Sequence, residues 1–190
     1  MASVTYSMLY LGNMADMDPT ETNQVADIPG TVLSGKTFGS ASNPIFAQST
    51  RVTLNDNNND GNVSFNHTAG TTDNVTYRLG ETTYTVQADS AVRVISANVT
   101  QSLDGGGTRT IQVSLRLFQD VNGNMFMLPP STTGQFPNET QLTEYPVISI
   151  AIPSNATYDT GPYAGLTTAR AVLPFEDGYV DGTDGNDLIG

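Results

Sequence analysis

Residues 111–117 read Ile-Gln-Val-Ser-Leu-Arg-Leu, so Ile111, Val113, Leu115 and Leu117 alternate strictly with polar neighbours. Successive side chains of an extended strand point to opposite faces, whereas the apolar stripe of a helix recurs every three to four residues. A period of two therefore predicts a strand with one face in a core. The expectation is that the four apolar residues are buried and that Gln112, Ser114 and Arg116 face water. The same signal recurs along the chain. Val75, Tyr77 and Leu79 alternate, Gly80–Glu81 intervenes, and Tyr84 and Val86 resume the alternation, which predicts a hairpin. Ala91–Val99 reads as a strand with Val92 and Val94 on one face. Val4–Leu11, Ile45–Leu54 and Val147–Ile152 read as further strands, and Asn122–Gly123 as a tight turn into Met125–Leu128. Asp104-Gly-Gly-Gly107 offers the positive φ that a reversal needs. Residues 12–29, broken by Pro19 and Pro29, read as a long loop, and Tyr163–Phe175 fits either one helical turn or a last strand. About eight strands at regular spacing predict an all-β fold, an antiparallel β-sandwich or a jelly-roll-like arrangement, over residues 1–175.

Composition narrows the chemistry. The chain has no cysteine, which excludes disulfides, thiolate metal sites and a cysteine nucleophile. It has one histidine, His67, so a metal site with several histidines is excluded and a catalytic triad has only that residue to use. No nucleophile-elbow motif accompanies it, and no pair of catalytic carboxylates stands out. The expectation is a protein that is not an enzyme. The net charge is −12. Such a chain cannot neutralise phosphates, so no nucleic-acid partner is expected, while divalent cations are attracted. No segment approaches the ~18 apolar residues of a spanning helix, so no membrane insertion is expected. The first residues lack the basic and apolar regions of a cleavable signal peptide.

Two stretches carry oxygen-rich spacing. In Asp56-Asn-Asn58-Asn-Asp60-Gly61 the oxygen-bearing side chains stand at positions one, three and five before a glycine. Calcium loops use this spacing to converge alternate side chains on a hard cation. Asp56, Asn58 and Asp60 are thus a candidate calcium loop, with Val63 where such loops place an apolar anchor. The twelfth position holds His67 rather than a bidentate glutamate, and the flanks read as strands rather than helices. The competing reading is a connection between strands, because Asn, Asp and Gly favour turns on their own account. Asp120-Val-Asn122-Gly-Asn124 repeats the spacing, but the alternation before it and the apolar run after it favour a hairpin.

Residues 176–190 shift to Asp and Gly and read as a linker followed by Gly182-Thr-Asp184-Gly185-Asn-Asp187-Leu-Ile189. This run resembles the first glycine-rich nonapeptide of an RTX (repeats-in-toxin) β-roll, with Thr183 where a second glycine normally stands. The resemblance implies that Gly182, Asp184, Gly185 and Asp187 form part of a calcium site completed by the next repeat of a longer chain. It also implies that these residues alone bind calcium weakly or not at all. "LYLGNMADMDPTE" and "GKTFGSASNPIF" are similar to the N-terminal module of marine alphaproteobacterial RTX proteins that carry a Hint (hedgehog/intein) domain farther along. That likeness implies an extracellular or cell-surface location reached by type I secretion. It implies calcium as cofactor, and adhesion or self-association, with a second copy or a cell-surface ligand as partner. The alternative is a structural subunit of an extracellular filament or virion assembled through β-strand contacts. A glycan-binding sandwich ranks lower, since the chain has no Trp.

Overall fold

The structure, a computed structural model, describes residues 2–20, 25–65, 73–132, 136, 138–161 and 166–174. His67 and the whole of 176–190, with Gly182, Asp184, Gly185 and Asp187, lie outside the described residues. The fold is all-β, sandwich-like and mostly antiparallel. Among the described residues there are twelve strands rather than about eight, the additional ones being two-residue pairings. They are β1 (Ala2–Asn13), β2 (Thr37–Phe38), β3 (Ser49–Asp56), β4 (Asn62–Val63), β5 (Asn74–Leu79), β6 (Thr82–Val86), β7 (Ala88–Ser102), β8 (Thr108–Asp120), β9 (Asn124–Met127), β10 (Val147–Ala151), β11 (Tyr158–Asp159) and β12 (Leu166–Thr167). One short helix, α1 (Pro29–Leu33), interrupts the loop after β1.

Ten strands form one sheet in the order β2-β10-β7-β8-β9-β1-β3-β5-β6, with β11 added beside β7. β12 and β4 pair separately. The sheet has a core on each face. On one side Leu9, Val92, Val94, Val113, Leu115, Leu117, Met125 and Met127 are covered by Met17, Val32, Leu33, Phe38 and Ile45. On the other, Met8, Val52, Leu54, Val75, Tyr77, Phe118, Phe126 and Leu128 pack together. The rings of Tyr77 and Phe126 lie 4.9 Å apart. Their strands, β5 and β9, are separated by β3 and β1. In a flat sheet three strand steps span about 14 Å. The sheet therefore curls over this second core.

The hairpins form where turn chemistry and alternation agree. β5 and β6 pair across Gly80–Glu81, and β8 and β9 across Asn122–Gly123. Gly123 has φ +91, and a Cβ there would stand 2.7 Å from the Met14 carbonyl. Glycine is thus required twice, for the turn and for the close approach.

Three expectations need correction. Ile45–Leu54 is not one strand: Ile45–Gln48 is a 3-10 turn and β3 begins at Ser49. The reason is that Ile45 belongs to the first core whereas Val52 and Leu54 belong to the second, so the chain must change face between them. Ser114 does not face water; it is buried and its hydroxyl donates to the Ile95 carbonyl at 2.8 Å. The register of β7 against β8 shifts between Val94 and Ala97, and Phe136 lies over the guanidinium groups of Arg93 and Arg116 on that side. Ile111 is half-buried rather than buried, being near the turn end of the β7–β8 hairpin, where β8 runs out beyond the core. Of the ambiguous stretch Tyr163–Phe175, the described part contains strand β12.

Val113, Leu115 and Leu117 are buried as the alternation predicts. Leu115→Ala should cost about 2–5 kcal/mol in urea unfolding by the loss of packing and the cavity left behind. Leu115→Asp should leave no cooperative unfolding transition, because the charge has no partner there. A Leu115→Asp protein that melts like the parent would overturn the assignment of that face.

Candidate metal centre

The register of β3 against β5 ends at Asn55 opposite Asn74. The next residue on each side is Asp56, which closes β3, and Asp73, which precedes β5. The connection between them folds back so that Asp60 joins this pair. One carboxylate oxygen from each of Asp56, Asp60 and Asp73 lies within 4.8 Å of the other two. Asp56 and Asp73 are buried, at 2% and 1% exposure, and Asp60 is exposed. The cluster thus has a walled inner side and an open outer side.

Backbone N–H groups hold the carboxylates in place. Asp56 Oδ1 accepts from Asp60 N at 3.1 Å and Oδ2 accepts from Gly61 N at 2.7 Å. Asp73 Oδ1 accepts from Asn57 N at 2.8 Å and Oδ2 from Ser64 N at 3.1 Å. Asp60 Oδ1 accepts from Asn62 N at 3.0 Å. Asn59 and Gly61 take the left-handed conformation, at φ 66 and 84, that this tight path requires. Thr168 N donates to the Gly61 carbonyl at 3.2 Å and so ties the loop to the segment after β12. That segment is itself fixed, because the Tyr6 hydroxyl donates to Thr168 O at 2.5 Å and accepts from Arg170 N at 2.9 Å.

Two negative charges 4.8 Å apart repel by roughly 3 kcal/mol at an effective dielectric of 20. The N–H dipoles offset part of this, and a divalent cation among the three would offset more. Calcium–oxygen bonds of 2.3–2.6 Å place two ligating oxygens at most about 5 Å apart, which the cluster satisfies. An oxygen-only donor set suits a hard cation such as calcium, magnesium or manganese better than zinc or copper, which favour nitrogen and sulfur ligands. Asp56, Asp60 and Asp73 would hold such an ion, with the rest of its shell from loop carbonyls and water.

Of the sequence-predicted residues, Asp56 and Asp60 are brought together. Asn58 turns toward Asp60, its Oδ1 accepting from Asp60 N and its Nδ2 donating to Asp60 Oδ2, both at 3.3 Å. Spacing alone misses Asp73, which stands beyond the loop motif. The signal that could have found it was the pairing of Val52-x-Leu54 with Val75-x-Tyr77, which sets Asp73 opposite the end of β3.

The second oxygen-rich stretch is a turn. Asp120 Oδ1 accepts from Asn122 N at 2.9 Å and Asn124 N at 3.0 Å, which closes the β8–β9 hairpin. The Tyr77 hydroxyl donates to Asp120 Oδ2 and accepts from Asn124 Nδ2 at 2.8 Å. Asn124 Oδ1 in turn accepts from the Tyr10 hydroxyl at 2.9 Å. This carboxylate is committed to holding β5, β8 and β9 together.

Burial, followed by the hydrogen bond to Asp120, raises the pKa of Tyr77 above that of a free phenol. Burial and the Asp120 charge raise Tyr10 as well. An unfolded tyrosine ionises near pH ~10. Above that pH the unfolded chain loses protons that the folded chain keeps, so stability is complete below about pH 10 and falls as pH rises further. Tyr77→Phe should show a shallower fall in Tm above pH ~10 than the parent. An unchanged slope would show that Tyr77 ionises freely.

No protein-family model, no curated protein and no solved structure matches the chain.

Proposed function

We propose that the domain is a non-enzymatic, calcium-binding β module of a secreted RTX-type protein, serving adhesion or self-association at a cell surface or in a matrix. The observation that carries the calcium reading is the convergence of Asp56, Asp60 and Asp73 within 4.8 Å at the end of the β3–β5 ladder. The net charge of −12, the absence of cysteine and the nonapeptide-like run from Gly182 support the wider reading. A cation at this loop would add its ligand bonds to the backbone hydrogen bonds that Asp56 and Asp73 accept at the ends of β3 and β5. The fold would then be stiffer outside the cell, where the resemblance places millimolar calcium, than in calcium-poor cytoplasm.

Thermal melts of the 190-residue chain with chelator and with calcium test this. A ligand at 100 times its Kd stabilises the folded state by about 2.7 kcal/mol. In a chain of this size that corresponds to a rise in Tm of about 5–10 °C. The rise should vanish in Asp73→Asn and Asp60→Asn and persist in Asp187→Ala. An identical Tm with chelator and with millimolar calcium would overturn the loop site. A rise lost in Asp187→Ala would move the calcium chemistry to the tail.

A further inference from the structure

Strand β6 ends the sheet, and beyond it no described residue adds a further strand. Its five residues, Thr82-Thr-Tyr84-Thr-Val86, carry no charge and no proline. They pair with β5 without a bulge from Leu79↔Thr82 to Val75↔Val86. Native sheets usually guard such an edge with lysine, proline, a bulge or a very short strand. The opposite edge is guarded in that way, since β2 has two residues. β6 has none of these devices, and Thr82, Thr83 and Thr85 are exposed.

The hydrogen-bonding direction of the edge follows from its turn. Gly80, at φ +60, and Glu81 form a two-residue loop. In such a hairpin the residues flanking the loop exchange both hydrogen bonds, and pairs then alternate along the ladder. Thr82, Tyr84 and Val86 therefore bond inward to β5, while the N–H and C=O groups of Thr83 and Thr85 point outward. The hydroxyls of Thr76 and Thr85 meet at 3.0 Å, as the closer spacing of a non-hydrogen-bonded pair requires.

We infer that β6 pairs with β6 of a second copy of this chain, antiparallel about a two-fold axis at Tyr84. This register sets Thr83 opposite Thr85 of the partner subunit, and the reverse, so the four outward groups on each side form four hydrogen bonds. Thr82 meets Val86 of the partner subunit, and Glu81 meets Gln87 of the partner subunit, so no charge faces a like charge in a molecule of net charge −12. The pairing also continues a pattern already in the sheet. Thr5, Thr53, Thr76 and Thr85 form one unbroken row across β1, β3, β5 and β6. The hydroxyls of Thr5 and Thr53 meet at 2.8 Å, as those of Thr76 and Thr85 do at 3.0 Å, with a hydrogen-bonded backbone pair between. Thr83 of the partner subunit is the next member of that row, in the hydrogen-bonded position that the alternation calls for. The inference is independent of the calcium reading, because the pairing uses β6 alone.

A single five-residue edge buries less surface than the ~1,200 Å² of a stable complex, so the dimer is weak. Its Kd should fall between about 1 μM and 1 mM. Sedimentation of the full chain, with chelator and with calcium, should show the mass doubling as concentration rises through that range. Thr83→Pro removes an outward N–H only and should keep the mass monomeric with the melt retained. Thr83→Lys serves the same purpose if the proline variant fails to fold. Register is read by single cysteines in this cysteine-free chain. Tyr84→Cys places two sulfurs on the axis within disulfide reach and should cross-link under mild oxidation, whereas Thr83→Cys should not. A parent chain that stays monomeric to 1 mM, a dimer that survives Thr83→Lys, or equal cross-linking from positions 83 and 84 would each overturn the proposal.

Discussion

The last four residues of β8, 117–120, and the whole of β9 are buried on both faces, and the rest of the structure is arranged to cover them. Along β9 and the residue that follows it, Met125 and Met127 belong to one core and Phe126 and Leu128 to the other. On β8, Leu117 and Phe118 divide in the same way. A fully buried side chain of this size contributes about 1.5–3 kcal/mol only if water is excluded from it. One face is closed by the sheet curling over it, which brings Tyr77 of β5 onto Phe126 of β9. The other is closed by the segment between β1 and β3, through Met17, Val32, Leu33, Phe38 and Ile45. The long loop is therefore a lid on the core, and α1 is the part of it whose apolar residues fall on one side.

Irregular chain packed on a core must still satisfy its backbone. Two fully buried glutamines meet much of that need. Gln119 donates its amide to the carbonyls of Met14, Ala15 and Gly123 and accepts from Met17 N. Gln101 donates to Gln141 O and Tyr145 O and accepts from Arg109. Each anchors a loop that has no ladder of its own. Removing Gln119 would take this partner from the Met14 and Ala15 carbonyls and the Met17 N–H, and removing Gln101 would take it from the Tyr145 carbonyl, at about 1–3 kcal/mol for each group left buried.

Strand identity was legible where the period of two coincided with turn residues, as at Val75–Val86 and at Asp120–Met127. It was not legible at Ile45, where apolar residues stand on both sides of residues 48–51 but belong to different cores. The burial of Ser114 was hidden because it depends on a bulge in β7 and on Phe136, neither of which is local to β8. The candidate centre was half legible: Asp56 and Asp60 share a motif, while Asp73 arrives through pairing of β3 with β5. Spacing rules read ligands that lie within one loop and do not see a ligand delivered by a neighbouring strand.

β1 lies inside the sheet, with β9 on one side and β3 on the other. The pairing Leu9↔Met127 joins residues far apart in the chain. During synthesis β1 can pair with β3 early, but its other edge has no partner until β9 has been made. The β5–β6 and β7–β8 hairpins can form from local contacts, but closing the sheet across β1 requires a long loop to be ordered at once. Folds dominated by such pairings mature in ~milliseconds to seconds rather than microseconds. The two-sided burial that stabilises the finished protein thus leaves one edge of β1 waiting, unpaired, until β9 has been translated.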